Sequence, residues 1–130
     1  MTECPIVVAL DNMSPVQALN LAHGLSDRGV TFKVHSILDS DGEKYIRVLG
    51  ECGAVFADLK LHDIPATVAD RAGRYQRAGA GYLTVHASGG IPMMRAAVEA
   101  APDVKILAIT VLTSLNQEQA LEVFGRRVEE

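Results

Sequence analysis

The chain has 130 residues, of which 48% are apolar, and a formal net charge of −4. This length suits one domain with a packed core, and the acidic balance argues against the broad basic surface that nucleic-acid or anionic-membrane binding needs. The sequence has no apolar stretch long enough to span a membrane, and the start M-T-E-C-P does not resemble a signal peptide, so we expect a cytoplasmic protein. Cys4 and Cys52 form no CxxC pair, which predicts reduced thiols.

Strand-like and helix-like segments alternate along the chain. The first apolar run, 6–11, precedes a helical segment, 14–25, where Ser14 suits the N-cap and Pro15 the first turn. The absence of a low-complexity linker predicts one domain over 1–130. The other predicted elements are strand 30–34, helix 42–50, strand 54–60, helix 65–79, strand 82–87, helix 92–101, strand 104–112 and helix 116–130.

Five strand–helix units in a row predict a parallel sheet covered by helices. Two α/β architectures fit this order, an open doubly wound sheet and a (β/α)8 barrel. The first strand–helix junction, L-D-N-M-S-P, lacks a glycine-rich phosphate loop, which weakens the dinucleotide-binding version. In both architectures ligands bind at the carboxyl ends of the strands.

Charged residues are concentrated at those carboxyl ends. Asp11 ends the first strand and Lys33 lies near the end of the second, while Asp58, Lys60 and Asp63 end or follow the third. A single charge there is usually a solvated rim residue, but charges of alternating sign on neighbouring strands should converge and pair. Because side chains alternate along a strand, Asp58 and Lys60 should point the same way. We therefore predict a functional site at this edge.

The histidines are weaker candidates. His62 lies inside the charged loop and His86 at a strand end, and each is more simply explained as a local hydrogen-bonding residue. The sequence has no His/Cys cluster with metal-ligand spacing. Two carboxylates could hold Mg²⁺, but Lys60 between them argues against a cation there, so we predict no metal site.

The segment D-L-K-L-H-D-I-P-A-T-V (58–68) resembles the signature D-x-K-x-x-D-I-P-x-T-V of the orotidine 5′-phosphate decarboxylase family. The resemblance extends over essentially the whole chain, because four more segments follow the family's order and spacing: V-A-L-D, F-K-V, T-V-H-A-S-G-G and T-V-L-T-S-L. The resemblance implies a (β/α)8 barrel that works as a homodimer and converts orotidine 5′-phosphate to UMP and CO₂ without metal or cofactor.

The resemblance also implies roles for individual residues. Lys60 would donate a proton to C6, and Asp58 would lie against the substrate carboxylate. Lys33 and Asp63 would complete the charged network, with Asp63 reaching across the dimer interface, and Asp11 would bind a ribose hydroxyl.

Three further residues receive roles from the resemblance. Ile64 and Thr67 would border the partner's site, and Thr113 would lie near the base. Loss of CO₂ leaves a carbanion at C6, so the site must stabilise negative charge electrostatically.

Two features depart from the family pattern. His35 takes the place of the glycine that usually follows Lys-Val, and a bulky side chain there could shift Lys33. The sequence predicts five strands in 130 residues, whereas a whole barrel has eight strands and about 250 residues. The sequence also lacks the family's Gly-Arg phosphate loop. We therefore expect the N-terminal part of a barrel: a fragment, a truncated product, or a half-barrel completed by another copy.

Two rival functions stay open. One is a Mg²⁺-dependent sister enzyme, a sugar-phosphate decarboxylase or synthase that uses the same carboxylates. The other is a non-catalytic half-barrel that serves as an assembly module, which the missing phosphate loop favours.

Overall fold

The computed structural model describes residues 6–127. Cys4 and the last three residues of the predicted final helix lie outside this range. The elements are β1 (Val7–Ala9), α1 (Pro15–Gly24), β2 (Thr31–Val34), α2 (Leu38–Gly50), β3 (Ala54–Leu61), α3 (Pro65–Ala78), β4 (Tyr82–His86), a 3₁₀ turn (Ala87–Gly89), α4 (Ile91–Ala100), β5 (Lys105–Ile109) and α5 (Gln117–Phe124).

The five strands form one parallel sheet in the order β1-β2-β3-β4-β5. A doubly wound sheet reverses its strand order at a switch point, whereas a (β/α)8 barrel adds each new strand beside the previous one. The sequential order therefore excludes the doubly wound alternative. These five βα units are an arc of a (β/α)8 barrel, as predicted.

One face of the sheet packs against the helices. Alternate strand residues such as Phe32, Val34, Leu83 and Val85 are buried, together with Ala18, Ala22, Ile46, Leu49, Val68, Ala72, Met93 and Ala97 of the helices. The residues between them on the strands, such as Thr31, Lys33 and Tyr82, are only half-buried. The second face, which would line the inside of a barrel, is thus open within residues 6–127.

Local signals explain most element boundaries. Ser14 caps α1 in a capping box with Gln17, and Pro15 is its first residue, as predicted. Helix α3 starts at Pro65 and is capped at its C-terminus by Gly79, whose φ of 96° is left-handed.

In the described range no helix has both the length and the apolar character needed to cross a membrane.

The start of the second helix differs from the prediction. Helix α2 begins at Leu38 instead of 42, with a kink at Asp41, because Ile37 and Leu38 are buried and anchor its first turn. Gly42, read from the sequence as a helix start, is instead a point of close packing, since a Cβ there would overlap the Tyr75 hydroxyl.

The outer strands are also shorter than predicted, and so is the last helix. β1 covers Val7–Ala9 instead of 6–11, β5 ends at Ile109 instead of 112, and α5 ends at Phe124. Each edge strand pairs on one side only within the described residues, so its apolar run extends beyond its ladder.

Candidate active site

Four charged side chains from three consecutive strand ends form a chain of ion pairs. Lys33 Nζ lies 2.6 Å from Asp11 Oδ2 and 3.5 Å from Asp58 Oδ2. Lys60 Nζ lies 2.8 Å from the same Asp58 oxygen. The order Asp11–Lys33–Asp58–Lys60 alternates in sign, so each internal charge has two opposite neighbours. The predicted convergence of these four residues is present in the structure.

The parallel register brings these side chains together. Ala9 pairs with Lys33 in the β1–β2 ladder, and Leu10 N donates to Lys33 O at 2.9 Å, which places Asp11 just beyond Lys33. In the next ladder Val34 pairs with Ala57, which places Asp58 one step further along β3. Each strand therefore delivers its charge at the same edge of the sheet.

The end of β3 is irregular, and this irregularity forms the centre of the site. Ala57 pairs with Leu83 and Leu61 pairs with Val85, so residues 58–60 arch over the single residue Thr84. The arch gives β3 two more residues than β4 over this interval. Because side chains alternate with a period of two, an even number of extra residues returns Leu61 to the buried face.

Within this arch Lys60 has a φ of 48°, a left-handed conformation that is unfavourable for a residue with a Cβ. Backbone strain of this kind persists only where surrounding contacts hold it. The contacts that hold this one come from Thr84.

Thr84 is a site residue that the sequence analysis did not identify. Its side chain is buried, with 1% of the residue exposed. The hydroxyl accepts a hydrogen bond from Lys60 N at 2.8 Å and donates one to Asp58 Oδ1 at 2.9 Å. A threonine on the inward-facing side of a strand, between two buried apolar residues, is the sequence signal that could have revealed it.

The electrostatic environment favours the charged forms of Asp58 and Lys33. Burial disfavours ionisation of Asp58, but hydrogen bonds from Lys60 and Thr84 and the positive charges of Lys60 and Lys33 outweigh it and lower the pKa of its carboxyl. For Lys33, the hydrogen bond to Asp11 outweighs burial and raises the pKa of its ammonium group. Asp58 is thus a carboxylate and Lys33 an ammonium at neutral pH.

One carboxylate oxygen of Asp11 has no hydrogen-bond donor among the described residues. Its Oδ2 is bound to Lys33, whereas its Oδ1 is buried and has no hydrogen-bond partner among the described residues. The next residue, Asn12, has a φ of 57°, so the backbone turns sharply just after the carboxylate. A buried acceptor without a donor is costly unless a ligand supplies one.

His35 does not displace Lys33, contrary to the concern raised by the sequence. Its Nδ1 lies 2.6 Å from the carbonyl oxygen of Asp58, and the side chain remains exposed. Lys33 keeps both of its ion pairs.

The family model described as orotidine 5′-phosphate decarboxylase / HUMPS family matches residues 5–130. The chain belongs to this family. A relative from Thermobifida fusca is 60% identical over 74 residues, which are 57% of this chain and 31% of the relative. Another, from Paramagnetospirillum magneticum, is 39% identical over 130 residues, covering 92% of this chain and 55% of the relative. Both are named orotidine 5′-phosphate decarboxylase.

Solved structures give the same family and the same fold. The orotidine 5′-phosphate decarboxylase from Lactobacillus acidophilus superimposes with a TM-score of 0.80 at 32% identity, over 93% of this chain and 58% of that one. The enzyme from Methanocaldococcus jannaschii complexed with the inhibitor BMP gives a TM-score of 0.72 at 26% identity, over 81% and 51%. The chain spans about half the length of the curated relatives that match most of it.

The remaining family-derived residues lie outside the ion-pair chain. Asp63 is exposed and accepts a hydrogen bond from Ile64 N at 2.7 Å through its Oδ1. Ile64, the residue before helix α3, is 67% exposed. Thr67 is half-buried in the first turn of α3, and Thr113 is exposed beyond β5. Among the described residues Asp63 forms no ion pair with the Asp11–Lys33–Asp58–Lys60 chain.

Two histidines lie at the rim of the site. The rings of His62 and His86 are 5.3 Å apart. Burial, followed by the charges of His62 and Lys60, lowers the pKa of His86. Within residues 6–127 no group of three or more His, Cys, Asp or Glu side chains is arranged to hold a metal ion.

Proposed function

We propose that this chain provides the charged part of the active site of an orotidine 5′-phosphate decarboxylase, which converts orotidine 5′-phosphate to UMP and CO₂. The observation that carries the proposal is the alternating Asp11–Lys33–Asp58–Lys60 chain at the strand ends of a family member. The protein works in the cytoplasm, in pyrimidine biosynthesis, and residues 1–130 form a single domain that is the N-terminal part of the barrel.

Lys60 is the proton donor in this proposal. When the bond between C6 and the carboxylate breaks, CO₂ leaves and the electron pair stays on C6. The Lys60 ammonium stabilises that developing charge and then transfers a proton to C6, which yields UMP. Its ion pair with Asp58 at 2.8 Å supports this role, because the pair fixes the direction of Nζ before substrate binds.

Asp58 lies beside the substrate carboxylate. Its own hydrogen bonds and neighbouring ammonium groups keep it ionised, so it meets the substrate as a negative charge. Two carboxylates at close range repel each other, and this repulsion disappears as CO₂ forms. No metal or cofactor takes part in this proposal.

Lys33 and Asp11 serve the substrate's sugar side. Lys33 links the two carboxylates and keeps their charges balanced. Asp11, whose side chain is 33% exposed, accepts a hydrogen bond from a ribose hydroxyl. Thr113, exposed beyond β5, approaches the base.

The site is completed by a second copy of the chain. Asp63 reaches the partner's charged network, and Ile64 and Thr67 border the partner's substrate. The exposure of Asp63 and the 67% exposure of Ile64 support this homodimer, because both side chains are available to a neighbouring molecule.

The rival functions have less support. A Mg²⁺-dependent sister enzyme needs converging oxygen ligands, and Asp58 Oδ2 is instead shared by two ammonium groups. A non-catalytic assembly module would not need Lys60 to adopt a left-handed backbone conformation.

The test is release of CO₂ from carboxyl-labelled orotidine 5′-phosphate by the purified chain, with EDTA present. Lys60→Ala should abolish release, whereas Lys44→Ala, which removes an exposed lysine of α2, should not change it. Circular dichroism should show that both variants fold, because Lys60 is a partly exposed side chain.

A second form of the test places the site in a whole barrel. Residues 6–127 replace the matching segment of the Paramagnetospirillum magneticum relative, and the same two variants are compared. Equal CO₂ release by the Lys60→Ala and Lys44→Ala chimaeras would contradict the role of Lys60. Release that EDTA abolishes would favour the Mg²⁺-dependent rival, and a folded chimaera without activity would favour the assembly module.

A further inference from the structure

The regular β2–β3 ladder does not extend along the arch of residues 58–60. The β2–β3 ladder ends where Val34 pairs with Ala57, so no residue of β2 beyond Val34 continues the regular pairing along the arch. On the other side the ladder to β4 is interrupted until Leu61. Residues that carry the reacting groups thus lie in a segment without regular backbone pairing, with one of them at a φ of 48°.

His35 provides the missing contact on the β2 side. It follows Val34 directly, and its Nδ1 lies 2.6 Å from the Asp58 carbonyl oxygen. A carbonyl oxygen can only accept, so Nδ1 carries the proton and donates it. The imidazole thereby continues the pairing of β2 to β3 by one residue. A glycine at this position would have no side chain to form this contact.

Thr84 provides the contact on the β4 side. Its hydroxyl accepts from Lys60 N and donates to Asp58 Oδ1, so both of its hydrogen-bonding roles are used within the arch. The first bond holds the left-handed backbone of Lys60, and the second fixes the plane of the Asp58 carboxylate. Because the residue is only 1% exposed, water cannot easily replace either bond.

We propose that His35 and Thr84 are positioning residues that hold the arch from its two sides and so keep Lys60 Nζ directed at Asp58. Neither touches the reacting atoms. The kinetic consequence rests on the function proposed above, whereas the structural consequence does not.

The experiment compares two matched pairs of variants. His35→Leu removes the donor, whereas His35→Asn keeps an N–H donor near the position of Nδ1. Thr84→Val removes both hydrogen bonds at nearly constant volume, whereas Thr84→Ser keeps the hydroxyl. Amide hydrogen exchange of Lys60 is measured by NMR in each, with the amides of the buried α2 residues Ile46 and Leu49 as the internal reference for global stability.

We expect Lys60 exchange to accelerate roughly fivefold to tenfold relative to the α2 amides in His35→Leu, the effect of about one lost hydrogen bond, and at least as much in Thr84→Val, which loses two. His35→Asn and Thr84→Ser should stay near wild type. The imidazole ¹⁵N chemical shifts of His35 should identify the tautomer that carries the proton on Nδ1, because that nitrogen donates to the Asp58 carbonyl oxygen. If Thr84→Val does not fold, the His35 pair decides, because this side chain is exposed and its replacement leaves the core intact.

The kinetic arm uses the CO₂-release assay. His35→Leu and Thr84→Val should lower kcat about tenfold to hundredfold, since small displacements of reacting groups are costly, while KM changes less than about threefold. If the wild-type chain releases no CO₂ but the variants show the expected changes in Lys60 exchange, the proposed function is rejected and the positioning roles stand. Unchanged Lys60 exchange and kcat in both variants, or acceleration equal at all amides, would overturn the positioning roles.

Discussion

Replacing Asp58 by asparagine tests whether the site is held together by charge. The Asp58→Asn variant keeps the shape of the side chain but removes the negative charge shared by Lys33 and Lys60. An amide can still bond to Thr84, so the change is confined to the two ammonium groups. Whichever way the amide is turned, neither ammonium retains a carboxylate from this residue.

The size of the effect follows from the contacts. A hydrogen bond to a charged group contributes about 1.5–3 kcal/mol, and only the 2.8 Å bond from Lys60 has full strength, since Lys33 lies 3.5 Å away. The Lys33 and Lys60 side chains are 24% and 32% exposed, so water compensates part of the loss. We expect a fall of about 2 kcal/mol in the free energy of unfolding at pH 7, equivalent to roughly 6–10 °C in Tm for a chain of this size.

The effect should depend on pH in one direction. The pKa of Asp58 is lower in the folded chain than its ordinary value of 3.8, so the carboxylate stabilises the fold above that value. As the pH falls through the folded-state pKa the carboxyl becomes protonated in both states, and wild type loses this contribution. The difference between wild type and Asp58→Asn should therefore be full at pH 7 and shrink below pH 3.8.

Urea unfolding followed by circular dichroism at neutral and acidic pH measures this difference. Asp103→Asn is the matched control, because it neutralises an exposed carboxylate between α4 and β5. A variant Asp58→Asn as stable as Asp103→Asn at pH 7, or a difference that does not shrink in acid, would refute the reasoning.

Three further predictions concern other parts of the chain. Lys33→Met should lower the free energy of unfolding by about 1 kcal/mol at neutral pH, as measured by urea titration. Because the pKa of Lys33 is raised above 10.5, the difference in stability between wild type and this variant should disappear only as the pH rises through that raised value. Gly79→Ala should lower the free energy of unfolding by about 1 kcal/mol because its φ is 96°, whereas Gly50→Ala, in open space at a helix end, should not. Mixing Asp63→Ala with Lys60→Ala chains should restore CO₂ release through one intact shared site, and continued inactivity of the mixture would contradict the shared site.

The alternation of elements was largely predictable from the sequence. Apolar runs ending in charges indicated the strands, and local signals such as Ser14, Pro15 and Gly79 indicated the helix ends, because capping and turn chemistry depend on near neighbours in the chain. The start of α2 was misjudged because Gly42 serves a contact with Tyr75, which is distant in sequence.

The residue types at the site were also predictable, since parallel strands bring their carboxyl ends to one edge. Four charged residues could be identified as a converging group because each lies at or near the end of an apolar, strand-like run: Asp11, Lys33, Asp58 and Lys60. The two-residue period of a strand further predicted that Asp58 and Lys60 point the same way. Their order of pairing, with Asp58 shared by two lysines, depends on registers that no local signal specifies.

The sequence by itself determined the parallel α/β class and the convergence of opposite charges at one edge, because both follow from periodicity along the chain. Periodicity alone left the choice between an open sheet and a barrel undecided; the family resemblance predicted the barrel, and the order of strand pairing in the tertiary structure confirmed it. Only the tertiary structure decided how Lys60 is aimed: the arch of 58–60, the hydroxyl of Thr84 and the imidazole of His35 meet only when β2, β3 and β4 lie side by side. Hydrogen bonds between residues so far apart in the chain leave no periodic trace in the sequence, so they become visible only in the folded chain.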